Sequence, residues 1–195
     1  MTQADQILNK VYSELKISDS SYEEKYKNIN KIVNALRKIN QKETINVKTT
    51  GTISERLCEL ALKTAVTGFY ETLGSDWKWI GDFSILGNPF NLVISVKSFK
   101  AKERLMSSGT GHILSPTVGW GLFDDLSEWT ESRVKGYVFR AFIAIYMPKD
   151  LYDKLSYDTK EIKNINGKQF IRTVDSFIDD IRTAIHDNRI DITLF

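Results

Sequence analysis

Apolar residues recur at helical spacing through the first third of the chain and then give way to the alternating and continuous patterns of strands. Ile7, Leu8, Val11 and Leu15 predict an amphipathic helix over 3–17. Tyr26, Ile29, Ile32, Val33, Leu36 and Ile39 predict a second over 21–40, with Ser20 or Ser21 as its N-cap and Glu24 three residues beyond Ser21. The polar stretch 40–51 reads as a connector, with room for a short strand. A third helix is expected from near Ser54, through Leu57, Leu60, Ala61, Thr64 and Ala65, to Leu73, where Gly74 ends it.

Trp77, Trp79, Phe83, Ile85 and the run 92–96 have strand character, and "GNPF" between them is turn chemistry. A Gly-, Ser- and Thr-rich loop is expected over 107–121, a short helix over 122–134, and a strand buried on both faces over 136–147. After Pro148 come a helical turn, a hairpin about Asn166 and Gly167, a helix over 175–186 and a terminal strand "IDITLF". Helices first, then a mixed sheet with helices interleaved, imply one α/β or α+β domain over 1–195. Within it, 1–50 forms a helical N-terminal region, 51–147 a core, and 148–195 a C-terminal hairpin, helix and strand.

One stretch, "GDFSILGNPFNLVISVKSF" over 81–99, departs from the pattern by ending an apolar strand in a serine and a charge. Folded symmetrically about Asn88 and Pro89, it sets Asp82 across from Ser95 with Lys97 as the diagonal neighbour. Leu92, Ile94 and Val96 then face the core, and Ser95 and Lys97 lie on the other face beside Asp82. A carboxylate and an ammonium together at a strand end suit phosphodiester hydrolysis. The carboxylate fixes a hard divalent cation, commonly Mg²⁺, and the lysine positions water or stabilises charge on the phosphate. The same two residues also fit a plain surface ion pair.

Composition narrows the field. The 195 residues carry a formal charge of only +2, so any attraction for nucleic acid has to come from a local basic cluster. Cys58 stands alone, which rules out an intramolecular disulfide or a thiolate zinc cluster and points to a reducing, cytoplasmic setting. No apolar run approaches the roughly 20 residues of a membrane span. Neither a phosphate-cradling glycine motif nor a Cys-His pair points to a small-molecule enzyme.

"GD82-F-S-I" followed by "V-I-S95-V-K97", with "T-I-S-E55-R-L" upstream, resembles the PD-(D/E)XK nuclease superfamily, in particular type II restriction endonucleases. The resemblance spans roughly residues 53–104. It implies a restriction-endonuclease-like mixed central β-sheet flanked by helices. It also implies Mg²⁺ held by Asp82, Glu55 and the backbone carbonyl of Val96, with Lys97 orienting the attacking water. The implied products are a 5′-phosphate and a 3′-hydroxyl. Two positions depart from the motif: Gly81 replaces the proline before the aspartate, and Ser95 replaces the acidic residue two before the lysine. A hydroxyl is a weak neutral ligand there, so a helix carboxylate has to substitute; Glu55 ranks first, Glu103 second and Glu59 third. If Glu55 opens its helix, the helix dipole alone also accounts for an acid there.

The run "KSFKAKER" places Lys100, Lys102 and Arg104 next to this site, where a nuclease contacts phosphates. Ser107, Ser108, Thr110, His112 and Thr117 in the following loop are short donors suited to phosphates or base edges of double-stranded DNA. Trp120 and Trp129 fit packing, with a groove contact as an alternative for Trp120. Symmetric cutting of a duplex implies a homodimer, for which the first two helices supply either an interface or core cover. Two other functions fit the same residues: a nuclease of this fold acting in repair or recombination, and a non-catalytic DNA-binding relative in which Asp82 and Lys97 are merely paired.

Overall fold

The computed structural model describes residues 1–99, 105, 115–140 and 142–195. A six-stranded mixed sheet in the order β1-β2-β3-β4-β5-β6 forms its middle layer. The strands are β1 (Tyr70–Thr72), β2 (Phe83–Ile85), β3 (Leu92–Lys97), β4 (Thr117–Gly121), β5 (Phe142–Met147) and β6 (Ile171–Thr173). β1, β2 and β3 pair antiparallel, and β3 to β6 run parallel. The expected α/β architecture with a mixed sheet flanked by helices is what the fold displays.

Helices α1 (Gln3–Glu14), α2 (Tyr22–Lys27), α3 (Ile29–Lys42) and α4 (Val47–Ala65) cover one face of the sheet. Their apolar stripes, including Leu8, Val11, Ile29, Ile32, Leu36, Leu57 and Ala61, join Leu92, Ile94, Val96, Val118, Trp120 and Tyr146 in one core. The stripes of the first helices therefore serve as core cover. Helices α5 (Glu131–Phe139), α6 (Lys149–Lys154) and α7 (Tyr157–Lys160) lie on the other side, where a smaller core gathers Phe123, Trp129, Val134, Tyr137, Phe142, Ile145, Met147 and Phe170. Strand β5 alternates between them, Ala144 and Tyr146 in the first core and Ile145 and Met147 in the second, so it is buried on both faces as expected. Among the described residues no helix is long and apolar enough to cross a membrane.

Several boundaries differ from the sequence pattern, each for a local reason. The expected 21–40 helix is two. Asn28 Nδ2 donates to the Glu24 carbonyl at 3.0 Å, the acceptor that its own N–H would use, and that N–H goes to Lys25 instead. Ser21 caps α2 as expected, accepting from Glu24 N. The polar connector is shorter than expected because Asn46 caps α4, its Oδ1 accepting from Thr49 N at 2.8 Å. That helix ends at Ala65 rather than Leu73; Gly68 at φ +80° reverses the chain and frees 70–72 to pair with β2. Residues 77 and 79 are not in a strand but in a run of turns.

In the second half, the loop expected over 107–121 yields its last residues to β4, paired on both sides. The 136–147 strand is shorter because 136–139 complete α5, where Val134 and Tyr137, one helical turn apart, reach the smaller core. The C-terminal helix is α8 (Phe177–Ala184) after a 3₁₀ turn, and the terminal strand is replaced by a small β7–β8 hairpin (Ile185–His186 and Arg189–Ile190) and a 3₁₀ turn. The Asn166–Gly167 turn forms, but its Asn164 is buried and structural, donating to the carbonyls of Ile143 and of the buried Phe195.

A buried polar relay ties the helical layer to the sheet. Tyr26 Oη donates to the Val174 carbonyl at 2.6 Å and accepts from Trp120 Nε1 at 3.1 Å. Burial drives the phenol pKa well above its ordinary value, so it stays a neutral donor. Trp120 is thereby fully buried packing rather than a groove contact. Tyr26→Phe leaves an indole N–H and a carbonyl without partners in the core, and we expect it to lower unfolding stability by about 1–3 kcal/mol. Urea denaturation checks this; a loss under about 0.5 kcal/mol contradicts the relay's structural role.

Candidate active site

The hairpin about the cis Asn88–Pro89 peptide pairs Phe83 with Ile94, Ser84 with Val93 and Ile85 with Leu92. The pairing centres on residues 88 and 89, as the symmetric fold of the sequence requires. One step past β2 the Asp82 N–H donates at 2.8 Å to the carbonyl of Ile94, the residue already paired with Phe83, so the regular ladder ends at Phe83 rather than setting Asp82 squarely across from Ser95 as the symmetric fold implies. The Asp82 carboxylate nevertheless reaches the strand end that carries Ser95 and Lys97. Lys97 Nζ donates to Ser95 Oγ at 2.7 Å and lies 3.9 Å from Asp82 Oδ2. That oxygen also accepts the Val96 N–H at 2.7 Å. The N–H and C=O of one strand residue leave by the same edge, so the Val96 carbonyl turns towards Asp82 too. With side chains 13% and 11% exposed, Asp82 and Lys97 are far less screened than a surface pair.

Gly81 lets the hairpin close this tightly. A Cβ at that position would lie 2.4 Å from Val93 Cγ1 and 2.9 Å from the Ile94 carbonyl oxygen. The departure from a proline before the aspartate thus has a steric cause: β3 leaves no space for a ring.

Glu55 lies more than two turns into α4, because the helix begins at Val47. A helix dipole acts only over the first turn, so it does not explain the acid at this position. Lys78, which the sequence reading did not single out, joins Glu55 to the hairpin. Its Nζ donates to Glu55 Oε1 at 3.0 Å and lies 3.5 Å from Asp82 Oδ1. Desolvation alone would depress the Lys78 pKa, but the Glu55 hydrogen bond and the charges of Glu55 and Asp82 outweigh it and hold the ammonium above its ordinary value. The available signal was the four-residue spacing to Asp82 in "DWKWIGD", hidden because 77–79 reads as strand.

Two carboxylates from separate elements therefore converge on one cationic point, with two ammonium groups around them. Among the described residues no group of three His, Cys, Asp or Glu side chains gathers to hold a metal. The hard oxygen donors at this edge are Glu55, Asp82, the Val96 carbonyl and Ser95 Oγ. The convergence of Glu55 and Asp82 on Lys78 fits a small divalent cation in chemistry and in charge. Ser95 is fully buried and already accepts from Lys97. Glu59, the third-ranked substitute, is turned away and bonded to Tyr70 Oη at 3.0 Å and Lys63 at 3.2 Å. On the buried face of α4, Cys58 is enclosed; desolvation first, then the charges of Asp82, Glu59 and Glu55, raise its pKa well above the ordinary thiol value.

Of the expected DNA contacts, Lys100, Lys102, Arg104, Ser107, Ser108, Thr110 and His112 lie outside the described residues, as does Glu103. Thr117 is the exception, and the structure corrects it. It is the first residue of β4, fully buried between two neighbouring strands, with its hydroxyl donating to the Ser115 carbonyl. It is in no position to read a base or a phosphate.

Comparison with models of known protein families, with curated proteins and with solved structures finds no match to this chain.

Gly81→Ala forces a methyl group against the Ile94 backbone, so we expect a loss of about 1–3 kcal/mol in unfolding stability. A shift in urea midpoint at unchanged slope measures it. Full stability would mean that the strands separate more easily here than their spacing implies.

Proposed function

We propose that the chain is a Mg²⁺-dependent type II restriction endonuclease of the PD-(D/E)XK superfamily, acting as a homodimer on double-stranded DNA. The observation that carries the reading is the gathering of the Asp82, Ser95 and Lys97 side chains at the end of the β2–β3 hairpin, with Glu55 from α4 sharing the Lys78 ammonium with Asp82. A mixed central sheet flanked by helices is the architecture that the resemblance implies.

In this reading Glu55 and Asp82 hold the ion, with the Val96 carbonyl beside them. Mg²⁺ held there supplies charge neutralisation on the phosphate and acidifies the attacking water. Glu55 takes the place of the acid missing at Ser95, whose hydroxyl instead accepts from Lys97 and orients it. Lys97, anchored to Ser95 and next to Asp82, holds the water in line with the phosphorus and balances charge as it builds on the phosphate oxygens. The water oxygen bonds to phosphorus as the bond to the 3′ oxygen breaks, leaving a 5′-phosphate and a 3′-hydroxyl.

Incubating plasmid DNA with the protein and Mg²⁺ tests this. Discrete bands are expected, whereas smears or nicks would favour a repair or recombination nuclease. Lys97→Met and Asp82→Asn are each expected to lower the cleavage rate at least about 100-fold while leaving a folded protein. The asparagine keeps an acceptor for the Val96 N–H, which separates loss of chemistry from loss of structure. Wild-type cleavage by either variant overturns the assignment, and a wild-type protein that binds duplex without cutting it points to the non-catalytic relative.

A further inference from the structure

We infer that Lys78 is a built-in counter-cation, occupying the metal position of the free protein and leaving it when a divalent ion enters. This deepens the metal-site reading above and rests on it. Glu55 and Asp82 come from separate elements, and two like charges brought together need a cation between them. Lys78 Nζ supplies it, 3.0 Å from Glu55 Oε1 and 3.5 Å from Asp82 Oδ1.

The two lysines of the site differ in how free they are to move. Lys97 is 11% exposed, stands in a central strand and donates to Ser95 Oγ at 2.7 Å. Lys78 is 43% exposed and sits on a run of turns held by the Trp77 N–H to Gly74 carbonyl and Ile80 N–H to Trp77 carbonyl bonds. Its four-carbon stem can swing the ammonium into solvent while those backbone bonds stay in place. Charge balance sets the need for the move. Among the described residues two carboxylates face two ammonium groups, and a divalent ion entering beside all four adds two positive charges next to both lysines. Release of Lys78 takes one of those neighbouring positive charges away. The turn thus makes the protein resist metal, and in that respect Lys78 is a positioning and gating residue rather than a catalytic one.

Calorimetric titration of the full chain with MnCl₂, without DNA, tests the inference on a readout other than cleavage. Removing a unit charge a few ångströms from a divalent ion is worth at least about tenfold in affinity. Lys78→Met and Lys78→Gln are therefore each expected to bind Mn²⁺ at least about tenfold more tightly than wild type, and Lys78→Arg, which keeps the charge, is not. Asp82→Asn should abolish the same heat, which locates the ion. The side chain of Lys78 is on the surface and two neutral variants are used, so thermal melting identifies any that fails to fold. If wild type binds Mn²⁺ through Asp82 and neither neutral variant binds it more tightly, Lys78 only steadies Glu55 and the inference is overturned while the nuclease reading stands. If no variant binds Mn²⁺, both fall together.

Discussion

A carboxylate at the start of β2 meets the far end of β3 only because of the register between the two strands. Pairing of Phe83 with Ile94 sends Leu92, Ile94 and Val96 into the larger core and leaves Asp82, one residue beyond the ladder, with its carboxylate beside Lys97. A slip of one residue would turn every side chain of β3 over, taking Leu92, Ile94 and Val96 out of the larger core and sending Ser95 and Lys97 into it. The hydrophobic pattern that stabilises the sheet is therefore the same constraint that assembles the site. The short Asp82 carboxylate bond to the Val96 N–H and the absence of a side chain at Gly81 fix the last ångström of that arrangement.

The position of Glu55 depends on packing rather than on local preference. Helix α4 buries Ile53, Leu57, Cys58 and Ala61 towards the sheet, which leaves Glu55 at the border between core and solvent. An acid so far along a helix is not there to complement the helix dipole, and its partner across the gap is a lysine shared with Asp82. Among the described residues, four charged side chains from a helix, a turn and a hairpin thus gather at one sheet edge. This is a different object from the scattered i,i+4 pairs on the outer helices, such as Lys27 with Glu23 or Lys135 with Glu131, which are open to water and contribute little.

The hairpin was readable from sequence because a two-residue period, a turn at Asn88 and Pro89 and a misplaced lysine each indicated the same geometry. The helical layer was readable from its apolar spacing, although Asn28 and Asn46 moved its boundaries through side-chain bonds that periodicity does not register. Strand β4 escaped notice because Gly119 and Gly121, a residue type depleted from strands, interrupt it; pairing with a strand on each side holds it extended. Strand β1 and the turns holding Lys78 were obscured by aromatic residues whose pattern suits helix or strand equally well. The spacing of Lys78 to Asp82 was in the sequence, but its link to Glu55 spans two elements and is seen only in three dimensions.

In the proposed enzyme Glu55 and Asp82 share one divalent ion beside Lys97. Anomalous diffraction from crystals of the protein soaked in Mn²⁺ with duplex DNA tests it most directly. A single strong peak is expected within direct bonding distance of side-chain oxygens of both Asp82 and Glu55, with the Lys78 ammonium withdrawn from between them. A map with no peak there, or a peak elsewhere while Lys78 still bridges the two carboxylates, contradicts it.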